Sequence, residues 1–84
     1  MYFIYILHSN SKDCYYTGHT DDLEYRLKRH NKGMTKSTKS GIPWYFVYSE
    51  QFKTRTEAIK REIEIKRWKS RKMIENLIKS NNQK

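Results

Sequence analysis

One stretch, Tyr16-Thr17-Gly18-His19-Thr20-Asp21-Asp22-Leu23-Glu24-Tyr25-Arg26-Leu27-Lys28-Arg29-His30-Asn31, narrows the folds open to this chain more than any other, because it passes from an aromatic strand through glycine into a basic helix. Gly18 has no Cβ, so the backbone can turn sharply there or approach another group closely, and a strand that stops at it makes the glycine a pivot. Thr20 or Asp21 is placed to cap the first free N–H groups of the helix, which is expected to start at about Asp22. Asp21, Asp22 and Glu24 suit the positive end of its dipole. At about 100° per residue, Leu23 and Leu27 make the apolar stripe. Arg26 and His30 lie together on its flank, where both can face the sheet and keep their polar tips wet.

The rest of the chain reads as support for that stretch. Tyr2-Phe3-Ile4-Tyr5-Ile6-Leu7 is aromatic and β-branched on both alternating faces, the pattern of a central strand covered on two sides, with Tyr5 half buried. Ser9-Asn10-Ser11-Lys12-Asp13 is a polar turn, and Cys14-Tyr15-Tyr16-Thr17 resumes β character, which predicts an antiparallel hairpin. The first helix should stop near Gly33, which tolerates a positive φ at a C-terminal cap. Asn31 to Pro43 is polar with no apolar periodicity, the mark of a functional or disordered loop. Trp44 to Tyr48 is a third strand that can extend to Phe52. Thr54-Arg55-Thr56-Glu57 reads as a capping box opening a second helix to about Trp68, and Ser70 can cap a third. The expected architecture is α+β, a small three-stranded antiparallel sheet flanked by helices in the order β-β-α-β-α-α. It forms a single domain over 1–80, with a frayed tail at 81–84.

Composition sets the class of partner. The 84 residues carry 18 Lys and Arg against nine acids, a formal charge of +9, which favours polyanions. A chain this short buries only about 60 to 65% of its unfolded surface, leaving no room for a second functional domain. The longest apolar run, Tyr2 to Leu7, is far too short to span a membrane, so nucleic acid is the better partner. Cys14 stands alone, which suits a reducing cytoplasm, the expected location. His8, His19 and His30 have no accompanying cysteine pattern, which argues against zinc.

Glu62 is the anomaly of the second helix. With Ala58 at 0°, the apolar arc formed with Ile59, Ile63 and Ile65 centres at about 60°, and Glu62 falls inside it at about 40°. Lys66 lies beside it, so one reading is a buried or half-buried Glu62–Lys66 pair. The other is a carboxylate that projects into a site and holds a divalent ion, where one carboxylate with water and phosphate suits Mg²⁺. Arg26 is either a surface cation or a planar grip on a phosphate. His30 is either a structural hydrogen-bonder or a proton carrier. Tyr5 and Tyr16 are either core aromatics with hydroxyls at the rim or groups that orient water at a phosphate. Lys66, Arg67 and Lys69 belong to a charge run that is either a solvated helix face or, with Trp68 interleaved, a surface along a nucleic-acid backbone, which Lys32, Lys36 and Lys39 of the polar loop would extend.

Taken in order and spacing, these residues resemble the GIY-YIG nuclease domain from Tyr2 to about Ile78, and the chain is similar to small stand-alone bacterial members of that family. Phe3-Ile4-Tyr5 resembles the first signature and Tyr16-Thr17-Gly18 the second. Arg26 and His30 fall where the family places its catalytic arginine and a histidine or tyrosine, and Glu62 matches its metal-binding glutamate. The resemblance implies an endonuclease acting on DNA, with RNA open, in which water attacks a phosphodiester while Tyr16 or His30 assists its deprotonation. Arg26 would stabilise the pentacovalent phosphorus, a single Mg²⁺ or Mn²⁺ on Glu62 would assist the leaving oxygen, and Tyr5 would position water or phosphate. His19 occupies a position that can contribute a polar side chain toward the nucleic acid. Phe3 stands where the family has its first glycine, Thr17 where it has isoleucine, and no asparagine clearly fills its late polar position, although Asn76 lies in the third helix. With no DNA-targeting domain expected, cleavage would be structure-selective or directed by a protein partner. The charge and the departures also fit a non-catalytic nucleic-acid-binding module, or a basic accessory protein docking on an acidic partner through its last two helices.

Overall fold

Tyr2 to Ser9 forms the central strand β1, apolar on both faces as its composition predicts: Ile4, Ile6 and Leu7 are 0% exposed. In the computed structural model, which describes residues 1–82 and side chains through Ser80, β2 (Cys14–Thr20) and β3 (Trp44–Phe52) pair antiparallel on either side of it, in the sheet order β2-β1-β3. Helices α1 (Leu23–Asn31), α2 (Arg55–Trp68) and α3 (Arg71–Asn82) complete the expected order β-β-α-β-α-α. The predicted fray at 81–84 lies beyond the described side chains.

The two-residue alternation of the sheet sorts its side chains into two cores. Register pairs Tyr5 with Gly18 and Leu7 with Tyr16 on one face, and Ile4 with His19 and Ile6 with Thr17 on the other. Leu23 and Leu27 of α1 pack on the first face against Tyr5, Leu7 and Trp44. Ala58 and Ile65 of α2 pack on the second with Ile4, joined by Trp68, Ile74 and Leu77. Each large apolar side chain buried in this way contributes about 1.5–3 kcal/mol. Arg61 fixes the long axis of α2 over β3 by gripping Glu50 with Nε and Nη2, each 3.0 Å from a carboxylate oxygen.

Several local expectations are corrected. The strand does not stop at Gly18 but runs on to Thr20, so the glycine is no pivot; close approach is what it provides. The cap of α1 is Asp22 rather than Thr20 or Asp21: its Oδ1 accepts the Tyr25 N–H at 3.0 Å, while Thr20 Oγ1 accepts the Asp22 N–H in the preceding turn. Gly33 takes φ +76, and the Gly33 and Met34 N–H groups bond back to His30 and Arg29 carbonyls, a Schellman ending that satisfies two orphan acceptors. The segment expected as a loose loop holds a short 3-10 helix, Lys36–Gly41, with Thr38 only 1% exposed. On α2, Thr54 Oγ1 accepts the Glu57 N–H as expected, but its hydroxyl donates to the Glu57 carboxylate, so the reciprocal half of the capping box is absent. Ile63 is 45% exposed, which narrows the buried line of α2 to Ala58 and Ile65, with Glu62 between them.

Candidate active site

Tyr5 is the side chain around which the site is built, and it is buried rather than half buried, at 2% exposure. It leans from β1 over Gly18 toward the open edge of β2. A Cβ on Gly18 would stand 2.5 Å from the Tyr5 hydroxyl and 2.8 Å from its ring carbon, so only glycine leaves the ring its place. The hydroxyl meets His30 Nε2 at 3.0 Å, and His30 Nδ1 meets Thr38 Oγ1 at 2.8 Å. Thr38 donates its own proton to the Thr35 carbonyl, so it accepts from His30 Nδ1–H. That leaves His30 Nε2 as the acceptor, and the Tyr5 O–H donates to it.

His30 is therefore not wet-tipped: it is 1% exposed with both nitrogens engaged. Burial, then the charges of Arg26 and Arg29, hold its conjugate acid below the ordinary 6.5, so the ring is neutral near pH 7. Burial pushes the Tyr5 phenol well above its ordinary 10.0, and Tyr16 adds to the push; the Arg26 guanidinium opposes it and Glu62 reinforces it. Arg26 on α1 and Glu62 on α2 thus both act on the one phenol. Arg26 has a further feature. Its Nε is buried with no hydrogen-bond partner among the described residues, as is that of Arg29, an orphan donor that costs free energy unless an acceptor arrives.

Glu62 stands on the other face of the sheet, with His19. His19 Nδ1 lies 2.5 Å from Oε1, and Lys66 Nζ lies 2.6 Å from Oε2. The expected Glu62–Lys66 pair is present, but it is not sealed: the carboxylate side chain is 15% exposed, His19 28% and Lys66 50%. Burial alone raises the Glu62 pKa, yet the hydrogen bonds from Lys66 and His19 outweigh it and hold the group below its ordinary 4.5, ionised. Because β2 is an edge strand, the two faces meet around it. Lys66 Nζ reaches over the Tyr16 ring, 5.8 Å from its centroid, and on the far side that ring lies 5.1 Å from His30 and 6.4 Å from Tyr5. Glu62, Lys66, Tyr16, His30 and Tyr5 form one continuous wall around this edge, although no hydrogen bond links Glu62 to either tyrosine or to Arg26 among the described residues.

The other basic residues do not all gather here. Lys66 and Lys69 line a hollow with Tyr16, whereas Arg67 lies across α2 with Lys60, Ile63 and Trp68. Lys32, Lys36 and Lys39 are exposed around the end of α1 and the 3-10 helix. Asn76 is exposed in a groove with Lys72 and Lys79 that contains none of Tyr5, Tyr16, Arg26, His30 or Glu62. Sequence reasoning missed Thr38, whose hydroxyl fixes the His30 tautomer, because a threonine in a polar segment carries no periodic signal. It also missed Asn31, whose side-chain amide bonds both the N–H and the carbonyl of Trp44 and ties the end of α1 to β3.

Residues 1–77 match the profile of the GIY-YIG catalytic domain. The chain belongs to the GIY-YIG family. It is 40% identical over 74 residues to UPF0213 proteins of Staphylococcus aureus strains Mu3 and Mu50, a match that covers 87% of this chain and 89% of each relative. The solution NMR structure of a UPF0213 protein from Bacillus halodurans is 33% identical, with a TM-score of 0.59 over 94% of this chain and 84% of that one. These relatives are small bacterial proteins, and the GIY-YIG family is a nuclease family whose members typically depend on a divalent metal. No helix among the described residues is long and apolar enough to cross a membrane.

Proposed function

We propose that the protein is a metal-dependent endonuclease that hydrolyses DNA phosphodiester bonds at the edge of β2. The observation that carries this reading is the meeting of Tyr16 and Tyr5, within the field of Arg26, with the half-buried, solvent-reaching carboxylate of Glu62 around one strand edge. The donor set fits a hard divalent cation: Glu62 is ionised and reaches solvent, and water and a substrate phosphate would complete the shell, since the described residues hold no cluster of three His, Cys, Asp or Glu. Mg²⁺ or Mn²⁺ on Glu62 would supply Lewis-acid stabilisation of charge on the departing oxygen.

The protein's own groups divide the remaining work. Tyr16 is half buried and its hydroxyl has no hydrogen-bond partner among the described residues, so it is the group that takes a proton from the attacking water. Lys66 Nζ stands over its ring, 5.8 Å from the centroid, on the side that faces Glu62. Tyr5 keeps its proton, which points at His30, and presents its oxygen lone pairs toward a water or phosphate; His30 acts by holding that hydroxyl. Arg26, half buried on α1, is the guanidinium that meets the phosphoryl oxygens as charge develops on them. With a cation held on Glu62, Lys66 Nζ and His19, which otherwise occupy its two oxygens, would be free to turn to solvent or substrate phosphate.

The test is cleavage of labelled branched and single-stranded DNA with Mg²⁺ or Mn²⁺ and with chelator. Wild type is expected to nick only with the cation, and Arg26→Ala and Glu62→Ala to lose at least about 100-fold in rate while melting as folded proteins. Cutting that survives both substitutions would come from a contaminant. A non-catalytic binding module would instead bind DNA in a salt-sensitive way and cut nothing under either ion.

A further inference from the structure

Against the edge of β2, where α2 ends and α3 begins, lies a cavity of about 390 Å³ that the mechanism above leaves unused. Its depth is apolar, with Ile65 and Ile74 on the helix side, and its mouth carries Lys66, Lys69 and Arg71. The cations are not equivalent. Lys66 is committed to Glu62, and Arg71 to Asp13, which also lines the cavity, and to Glu75, leaving Lys69 as the lining cation that makes no salt bridge among the described residues. An apolar hollow with a cationic lip suits a flat, weakly polar body that carries an anion, and the volume lies in the range of small-ligand sites. Tyr16 and Lys66 line both this cavity and the site, so whatever enters it lies against the Tyr16 ring and the lysine that pairs with Glu62.

We infer that the cavity receives the base of an unpaired nucleotide adjoining the cleaved phosphodiester, with Lys69 on its phosphate. This rests on the nuclease reading of the neighbouring site and names its substrate class. A base inside a duplex is stacked and paired and cannot enter a hollow without unstacking, at a cost of a few kcal/mol, so the cavity selects strand ends, flaps and single strands. The isoleucines and tyrosine rings of the lining hold a base by its faces, which every base presents, so selection is by strandedness more than by sequence.

The experiment is an NMR titration of isotope-labelled protein with adenosine 5′-monophosphate, without metal, and with inorganic phosphate and adenosine as controls. The nucleotide is expected to move the Ile65 and Ile74 methyl signals saturably, and inorganic phosphate to move only signals near Lys69. Lys69→Asn, which tolerates the φ of +47 at this position, weakens nucleotide binding by roughly fivefold or more. Ile74→Phe, checked for folding by circular dichroism, fills the hollow and abolishes the methyl response of Ile65. Nucleotide that leaves both isoleucines unmoved, or binds Ile74→Phe as well as wild type, overturns the inference. The two readings separate cleanly: cleavage with an unresponsive cavity removes the cavity alone, and a responsive cavity in a protein that cuts nothing removes the cleaved strand from it.

Discussion

Gly18 and the Tyr5 ring fit together with no room for a Cβ between them, and that gives the residue scale its clearest prediction. Gly18→Ala puts a methyl 2.5 Å from the Tyr5 hydroxyl, and the ring cannot yield without leaving His30. Overpacking of this kind costs about 1–3 kcal/mol, read as a lowered urea midpoint, and cleavage should fall with it. Tyr5→Phe keeps the ring but strands His30 Nε2 as a buried acceptor, with an expected cost of about 1–3 kcal/mol in the same assay. His30 also sets a pH dependence. Its folded pKa lies below 6.5, so the unfolded chain takes up the proton more readily and the His30 contribution to stability is lost as pH falls below 6.5. Glu62, held below 4.5, makes its own loss only at lower pH. The melting temperature should therefore drop as pH falls through the ordinary value of 6.5, with the folded His30 ring titrating by NMR only below that value, and a flat profile would contradict its burial as a neutral ring.

At the scale of elements, the chain announces its helices where a cap has a side-chain signature. Gly33→Ala, at φ +76, should cost about 1–2 kcal/mol because a Cβ strains the left-handed backbone; a thermal melt measures it. Thr54→Ala should cost about 1 kcal/mol by leaving the Glu57 N–H without its acceptor. Alternation and capping made β1, β3, α2 and α3 legible. The segment between α1 and β3 was not, because Thr38 and Gly41 are buried by tertiary hydrogen bonds: His30 and Trp44 meet Thr38, and Ser9 donates to the Gly41 carbonyl. Contacts between residues distant in sequence leave no period in either segment. The end of β2 was misjudged for a related reason: a glycine in a strand signals either a turn or a close approach, and the side chain that decides it, Tyr5, lies on another strand.

For the molecule as a whole, the sequence nominates Tyr5, Tyr16, Arg26, His30 and Glu62 as a candidate site, but it does not reveal that Glu62 belongs to one face of the sheet and the phenols to the other. That arrangement follows from pairing register and from β2 lying at the edge, neither of which is visible before the sheet is assembled. It also divides the basic residues. Lys66→Gln should lower the salt slope of DNA binding by about one, while Arg67→Gln, across α2, should leave the slope unchanged. The central claim is that groups from both faces act on one phosphate. Single-turnover cleavage by Tyr16→Phe, Glu62→Gln and the double variant tests it most directly. Groups serving one transition state are strongly non-additive, so the double variant is predicted to be little slower than the slower single variant. Losses that simply multiply, or cleavage indifferent to either change, would mean that the two faces do not form one site.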